Sequence, residues 1–314
     1  MTEAPATPLI SVVIPTRNRW PLLRQTLAGV LRQEEVELEV VVVDDGSEDG
    51  TSARLAEIGD PRVRVHRHEQ GSGVARARNA GIELARGKWL AFLDDDDLWS
   101  PRKLRVQLDT ALAGGGDWVL GAAVVVDENR RVVGMEPPQP VEDIPRLLLT
   151  FNAVPGGCSG VMARTDLVRQ VGGFDEEMRI MADWDLWIRL SANGRLSVSP
   201  GQEIAYVKHA QNMTAVNLAG IVTELEALAA KHRSIGFSVD GIWFSRWLAG
   251  NYRRSGQPAR AIGIYLDGAV RYRSPGNVVR AVGTLTGERA MRRIRQHRPA
   301  PVPTSAPAWL ALYL

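Results

Sequence analysis

The sequence has little of several features that would define its class at once. Its single cysteine, Cys158, rules out a disulfide within the chain and suits a reducing compartment. No apolar run comes near the about 18 residues that a membrane-spanning helix needs, and residues 118–126, the longest candidate, are far too few. Residues 1–8 have neither the basic nor the apolar region of a secretory leader. We therefore expect a cytoplasmic protein, with peripheral contact at the inner face of a membrane still open.

The chain also has little net charge, but its charges are unevenly distributed. The formal net charge is +2, yet residues 231–298 carry 14 Lys and Arg against 3 Asp and Glu, so the rest of the chain is acidic. The basic region is either a solvated face or a surface for anionic lipid, with residues 289–298 as an amphipathic candidate. No aromatic platform accompanies the charge, so we expect no nucleic-acid binding.

The hydrophobic pattern alternates between strands and helices over the first hundred residues. Strands are predicted at residues 10–15, 38–43, 63–66 and 88–93, with helices at 20–33, 51–58 and 74–86 between them. Strands that are apolar on both faces and alternate with helices indicate a mostly parallel, Rossmann-like sheet with helices on both faces, an α/β fold. Further elements are predicted at 102–112, 118–126 with 131–134 as a hairpin, 160–163, 166–171, 183–192, 196–198 and 204–207.

The pattern becomes wholly helical after residue 217. We predict a flexible N-terminus at residues 1–8, an α/β domain at 9–217 and a basic helical region at 218–298. Residues 299–314 are rich in proline and carry no charge, so we expect a poorly ordered tail.

Four consecutive carboxylates, at residues 94–97, end the fourth predicted strand. Adjacent acids repel one another, and a hard divalent cation with oxygen ligands is a natural way to neutralise them. The alternative is a solvated acidic turn or a helix cap, because Pro101 follows and starts a plausible helix. The second strand also ends in acids, Asp44 and Asp45, and the carboxyl ends of parallel strands are where open sheets bind ligands. The two clusters together predict a nucleotide cleft.

Six segments resemble, in order and spacing, the motifs of family 2 glycosyltransferases with the GT-A fold. They are residues 11–19 (SVVIPTRNR), 44–47 (DDGS), 73–81 (GVARARNAG), 92–99 (FLDDDDLW), 172–176 (GGFDE) and 182–189 (ADWDLWIR). The resemblance covers about residues 9–215. It implies a nucleoside diphosphate sugar donor that lies across the strand ends.

The resemblance also assigns roles to individual residues. The residues expected to border the nucleotide or its phosphates are Pro15, Thr16, Arg17, Asp45 (at the base), Arg76, Asp94 and Asp95. Asp96 would bind Mg²⁺ or Mn²⁺ directly, although four acids in a row leave the register of the D-x-D motif ambiguous. His209 is a further candidate for the metal or the diphosphate, or else an ordinary surface or core histidine.

Asp183 is the candidate general base that deprotonates the acceptor hydroxyl. The alternative role is a helix cap, and Asp185 is the fallback base. The family usually has Glu before this aspartate, whereas this chain has Ala182. The Q-x-x-R-W signature of longer-chain synthases is incomplete, because Trp243 stands where the Gln would be, and this disfavours a processive polymerase.

The resemblance therefore predicts an inverting, metal-dependent glycosyltransferase that moves a single sugar to a hydroxyl acceptor. The acceptor would be a glycan or lipid-linked precursor in cell-surface polysaccharide, glycolipid or glycoconjugate biosynthesis. One alternative is a nucleotidyltransferase, although residues 15–19 lack the glycine-rich triphosphate loop of that class. The other is a non-catalytic sugar-nucleotide-binding or scaffold protein on the same fold.

Overall fold

The computed structural model describes residues 8–209, 220–285 and 306–313 of the 314-residue chain. These residues form two compact units. The first unit comprises residues 8–145, 153–207 and 306–313, and the second comprises residues 146–152, 208–209 and 220–285. The α/β region thus ends at residue 207, ten residues before the predicted boundary, and a short upstream segment belongs to the helical unit.

The first unit contains eleven described strands and seven described α-helices. The strands are β1 (Ile10–Thr16), β2 (Leu38–Asp44), β3 (Val63–Arg67), β4 (Trp89–Phe92), β5 (Leu98–Trp99), β6 (Trp118–Leu120), β7 (Ala123–Val126), β8 (Val132–Glu136), β9 (Met162–Arg164), β10 (Leu196–Val198) and β11 (Ile204–Val207). The helices are α1 (Trp20–Val30), α2 (Thr51–Ala56), α3 (Val74–Leu84), α4 (Lys103–Gly114), α5 (Ile144–Leu147, which continues into the second unit), α6 (Thr165–Gln170) and α7 (Ala182–Asn193).

The main sheet has seven strands in the order β10-β6-β9-β4-β1-β2-β3. All neighbouring pairs are parallel except those of β9, which runs antiparallel to β4 and β6. Every residue of β1 and β2 is buried, because helices cover both faces. Val40 and Val42 pack in the core that contains α1 and α4, while Val41 and Val43 pack against α3.

A second, four-stranded sheet has the order β5-β11-β7-β8. The sequence predicted a single strand over residues 118–126, but the structure divides it at Gly121 between the two sheets. A β-carbon on Gly121 would lie 2.4 Å from the Ser199 hydroxyl, so a larger residue here would displace that hydroxyl. The predicted hairpin is therefore confined to β7 and β8.

Part of the predicted tail is packed on the first unit. A 3₁₀ helix spans Ala308–Tyr313, and its Leu310 is buried in the core of the second sheet. The Trp309 indole donates to the Gln202 carbonyl at 2.9 Å, and the Tyr313 hydroxyl donates to the Trp99 carbonyl at 2.7 Å. Apolar side chains therefore order residues 306–313, contrary to the expectation of a poorly ordered tail, while residues 299–305 and 314 lie outside the described residues.

The second unit is helical, as predicted. Its main described helices are α8 (Ile221–Lys231), α9 (Gly241–Arg254), α10 (Pro258–Arg271) and α11 (Pro275–Leu285). Asp240 caps α9 by accepting from the Ile242 and Trp243 amides. Throughout the described parts of the chain, no helix combines the length and apolarity required to span a bilayer. The amphipathic candidate at residues 289–298 and residues 1–7, which were predicted to be part of a flexible N-terminus, lie outside the described residues.

Candidate active site

The two acidic clusters lie at one edge of the main sheet. Thr16, the last residue of β1, is paired with Asp44 at the end of β2, and β4 ends beside β1 in the same direction. The Thr16 hydroxyl donates to Asp95 Oδ2 at 2.7 Å, and the Thr16 carbonyl accepts from the Asp45 amide at 2.9 Å. A single residue thus connects the two acidic strand ends, and the sequence-based prediction of a shared edge agrees with this geometry.

The last carboxylate of the run, Asp97, is an internal brace. It is fully buried and accepts hydrogen bonds from the Ser159 hydroxyl at 2.6 Å and the Val207 amide at 2.9 Å. Burial, with the charges of Asp96 and Asp94, raises the pKa of Asp97 well above its usual value. Asp97 therefore connects the end of β4 to β11 and to the segment before β9, and it faces no open space.

Asp95 and Asp96 share one arginine. Arg19 Nη1 lies 3.2 Å from Asp95 Oδ1 and 2.9 Å from Asp96 Oδ2. Burial and the neighbouring charge of Asp96 raise the pKa of Asp95, although Arg19 opposes them. Burial lowers the pKa of Arg19, but the Asp95 and Asp96 charges outweigh it and the net shift is upward. Arg19 therefore offsets part of the mutual repulsion of this carboxylate pair.

Asp94 is the most exposed acid of the run and contacts a second arginine, Arg78. The Arg78 side chain is almost wholly buried, and its Nε has no hydrogen-bond partner among the described residues. Burial lowers the pKa of Arg78, but its interactions with Cys158, Asp94 and Asp183 outweigh burial and raise that pKa. Arg78 thus stands in the same electrostatic environment as the first carboxylate of the run and the candidate base.

Sequence reasoning named Arg76, whose role stays a prediction, and did not name Arg78 or Arg19, which contact the acidic run. Arg76 lies on the exposed side of α3 and pairs with Glu176 at 2.9 Å, away from the acidic run. The helical period carried the signal for Arg78, because Ala75 and Ile82, three residues before it and four after it, are both buried. No comparable local signal marks Arg19, which reaches residues about 76 positions later in the chain.

The pocket around Asp45 is already filled by protein donors. Asp45 accepts from the Ser72 amide and hydroxyl, the Gly73 amide and His68 Nδ1, all within 3.0 Å. Burial would raise the pKa of Asp45, but these hydrogen bonds outweigh it, and the pKa is lowered. A β-carbon on Gly46, at φ +73°, would lie 2.7 Å from the Gly71 nitrogen, so glycine permits this close approach.

The remaining nucleotide candidates lie close to that loop. Pro15 is buried within β1, paired with Val43. Arg17 is exposed, and its guanidinium lies against Gly71, where a β-carbon would be 2.1 Å from Nη1. Arg17 and the loop of residues 68–73 therefore flank the end of β2, where the base was predicted to bind.

Asp183 lies in the first turn of α7 and is partly exposed. Its Oδ1 accepts from the Trp184 amide at 2.7 Å, and Gly157 lies beside its Oδ2. The helix is anchored by Trp184 and Trp187, which are both buried. Asp185, by contrast, is fully buried and bonded to Arg189, so the geometry gives the fallback base a structural role.

Comparison with models of known protein families assigns the chain to a family. The model of "Glycosyl transferase family 2" matches residues 11–171, just over half of the chain. The chain belongs to glycosyl transferase family 2. The resemblance stated from the sequence motifs is thereby confirmed, and with it the assignment of the chain to a family of glycosyltransferases.

Relatives of this family 2 member come from several bacteria. The chain is 34% identical over 210 residues to the succinoglycan biosynthesis protein ExoO of Rhizobium meliloti, covering 63% of this chain and 60% of ExoO. It is 27% identical over 191 residues to WfgD of Escherichia coli, a UDP-Glc:alpha-D-GlcNAc-diphosphoundecaprenol beta-1,3-glucosyltransferase, covering 60% of this chain and 72% of WfgD. The chain thus spans less than two thirds of the length of ExoO.

The fold is shared with solved structures. The crystal structure of S. aureus TarS residues 1–349 in complex with UDP-GlcNAc matches with a TM-score of 0.59 at 20% identity, covering 82% of this chain and 80% of TarS. The mixed sheet with helices on both sides is the predicted GT-A α/β fold.

The acidic edge of this family 2 chain offers carboxylate oxygens to a divalent cation, whose binding stays a prediction. Within residues 8–209, 220–285 and 306–313, no three His, Cys, Asp or Glu side chains converge as a metal site. Mg²⁺ and Mn²⁺, however, commonly take one or two carboxylates and complete their shell with substrate phosphates and water. Arg19 already places a cation against Asp95 and Asp96, so oxygen donors converge there. His209 belongs to the second unit, and its role as a ligand stays a prediction.

Proposed function

We propose that this chain transfers a single sugar, with inversion, from a nucleoside diphosphate sugar to a hydroxyl acceptor. The observation that carries the proposal is the joining of the two acidic strand ends through Thr16, within one electrostatic environment that includes Arg78 and Asp183. This arrangement offers a donor three features in a row: a loop and strand end for the base, charged groups for the diphosphate, and a carboxylate for the acceptor.

The base would occupy the end of β2 between Arg17 and the loop of residues 68–73. Because Asp45 is fully engaged by that loop, base binding requires either that the loop yields one of its hydrogen bonds or that the base stacks beside it. UDP is the favoured nucleotide, since TarS has been solved with UDP-GlcNAc and WfgD is named for UDP-Glc.

The diphosphate would lie at the acidic run with Mg²⁺ or Mn²⁺ held by Asp96 and, at the open end of the run, Asp94. The cation supplies Lewis-acid stabilisation of the charge that develops on the leaving diphosphate. The chain's own contribution is to keep this region ordered: Asp97 fixes the run from inside, and Arg19 limits the repulsion between Asp95 and Asp96. Arg78 adds a buried positive charge next to Asp94.

Asp183 would take the proton from the acceptor hydroxyl as that oxygen attacks the anomeric carbon. Inversion needs a single displacement, with the base and the leaving group on opposite sides of the sugar. Support for this role comes from the partial exposure of Asp183 and from the packing of Trp184 and Trp187, which holds the start of α7 in place. The acceptor would be a glycan or lipid-linked precursor in cell-surface polysaccharide or glycolipid synthesis, as the names of ExoO and WfgD suggest.

The decisive experiment measures product release from a panel of UDP-sugars with Mn²⁺ or with a chelator. Release of nucleoside diphosphate supports sugar transfer, release of pyrophosphate would indicate a nucleotidyltransferase, and neither product would indicate a binding or scaffold protein. Asp183→Asn should lower kcat by about a thousandfold while donor affinity is kept, because a positioned base contributes about 10²–10⁴.

A matched control is Asp166→Asn, which changes an exposed aspartate in the first turn of another helix, α6. Asp166 should tolerate the change with full activity. Unchanged turnover in Asp183→Asn would remove the base assignment, and equal losses in both variants would reduce it to a general effect on helix caps.

A further inference from the structure

Helix α11 presents its apolar side chains outward. Val278, Val279 and Val282 are each about half exposed, and Leu285 is 70% exposed. The buried residues of the helix are small or polar, namely Asn277, Ala281 and Gly283. A surface helix of a soluble protein normally shows the reverse pattern.

Buried hydrogen bonds fix the rotation of α11. Asn277 Nδ2 donates to the Ser245 hydroxyl at 3.0 Å, and Asn277 Oδ1 accepts from Arg246 Nε at 2.8 Å. Arg246 Nη2 donates to the Ser274 hydroxyl at 3.2 Å. Turning the helix to hide its valines would break this network and bury its partners unpaired, which is costly. The outward apolar face is therefore a stable feature of the second unit.

The neighbouring helix α10 also has exposed apolar side chains. Its Leu266 is 47% exposed and its Val270 is 82% exposed. Residues 241–285 carry seven arginines and a single carboxylate, Asp267. Arg271 and Arg273, at the junction of the two helices, are both exposed. Exposed apolar side chains on strongly basic helices combine the two attractions that hold a protein on a membrane surface.

We propose that the exposed face of α10 and α11 docks on an anionic phospholipid bilayer. The valines and leucines would enter the interface between headgroups and acyl chains, and the arginines would meet the lipid phosphates. A second copy of the chain fits less well, because it would bring an equally basic surface against this one. The proposal goes beyond sugar transfer and does not depend on it.

The test is sedimentation of the full chain with vesicles, in parallel with sedimentation equilibrium without lipid. Vesicles of phosphatidylglycerol and phosphatidylcholine should bind the wild type at least about tenfold more tightly than phosphatidylcholine alone, and high salt should weaken the binding. Val279→Asp with Val282→Asp should lower the affinity at least about tenfold. Arg271→Gln with Arg273→Gln should lower it about fivefold per arginine.

Two further variants keep the outcome unambiguous. Val279→Ser with Val282→Ser adds no charge and should still weaken binding, while Leu112→Asp, at an apolar residue that is 66% exposed on α4, should leave it unchanged. Equal binding to both vesicle types, or wild-type binding by the valine variants, would overturn the proposal. A dimer that the valine variants convert to a monomer would also overturn it, in favour of a second copy as the occupant.

Discussion

Two aspartates at the same sheet edge have pKa values that are shifted in opposite directions. Asp45, after β2, accepts hydrogen bonds from the Ser72 amide and hydroxyl, the Gly73 amide and His68, and its pKa is lowered. Asp95, after β4, has Thr16 and a shared Arg19, and burial beside Asp96 raises its pKa. Both are buried, so burial alone does not separate them. The two pKa shifts differ in direction because Asp45 has more hydrogen-bond donors and no neighbouring acid that raises its pKa as strongly as Asp96 raises that of Asp95.

We therefore distinguish Asp45, which stabilises the fold, from the carboxylates of the 94–97 run, where we propose that a cation binds. The charge of Asp45 is balanced within the protein, and its effect is to fix the loop that leads into α3. The 94–97 run places four acids side by side, and burial with neighbouring charge raises the pKa of Asp95 and of Asp97, so an added cation should gain more there than beside Asp45. Substituting one acid in each cluster should therefore have opposite consequences for activity and stability.

The largest effect is expected from Asp96→Asn. It should lower kcat/KM for donor turnover by about a hundredfold to a thousandfold, because it removes a proposed ligand of the cation that stabilises the leaving group. The free energy of unfolding should change by less than about 1 kcal/mol, since relief of repulsion with Asp95 offsets the lost contact with Arg19. Steady-state kinetics with urea unfolding would measure both quantities.

Metal titration supplies the control for Asp96→Asn. Mn²⁺ with UDP should raise the melting temperature of the wild type, because a ligand that binds only the folded state stabilises it, and this rise should be lost in the variant. A variant that keeps both the melting shift and the turnover would show that Asp96 is no metal ligand.

The next effect is expected from Asp45→Asn and appears in stability. The side-chain NH₂ of the new asparagine would replace one carboxylate oxygen, so one of the Gly73 and Ser72 backbone amides would lose its acceptor. This loss should lower the free energy of unfolding by about 2 kcal/mol. Asp60→Asn is the matched control, because Asp60 also accepts from a backbone amide, that of Arg62, but its side chain is 25% exposed and its charge is paired with Arg62, so the change should cost under about 1 kcal/mol. Equal costs at both positions would contradict the proposed role of Asp45 in fixing the loop that leads into α3.

Local patterning predicted the fold to within a few residues for most elements. Strands β10 and β11 coincide with their predictions, and β1, β2 and β4 were found because buried parallel strands are apolar runs. The pattern failed where tertiary contacts decide the outcome. It could not show that residues 118–126 change sheets at Gly121, or that the two-residue strand β5 pairs with β11.

The candidate site was predictable in its acids and less so in its cations. Consecutive aspartates at a strand end are visible in the sequence, and Thr16 does lie between the two clusters. Arg19 and Arg78 reach the run from other parts of the chain. The helical period marks Arg78 as a buried position, but it does not show that either arginine contacts the run. The same holds for the donors of Asp45, which come from a loop about 27 residues later.

The smallest expected effect is a change in how stability depends on pH, and it tests the contrast between Asp45 and Asp95 most directly. Because burial and Asp96 raise the folded-state pKa of Asp95, the folded protein binds a proton more readily than the unfolded chain. Stability from this residue is therefore lost as pH rises from about 4, the unfolded value. For Asp45 the folded pKa is lowered, so its contribution is present above about pH 4 and is lost only in more acidic solution.

Asp95→Asn should therefore reduce the loss of stability between about pH 5 and pH 8 by about 1 kcal/mol relative to the wild type. Asp45→Asn should leave that interval unchanged, since Asp45 stays ionised throughout it. Urea unfolding at several pH values, with a chelator present so that no cation masks the charge, measures both trends. Parallel pH profiles for the wild type and Asp95→Asn would mean that Arg19 and Thr16 already balance Asp95, and the contrast between the two strand ends would then rest on Asp96 and Asp97 alone.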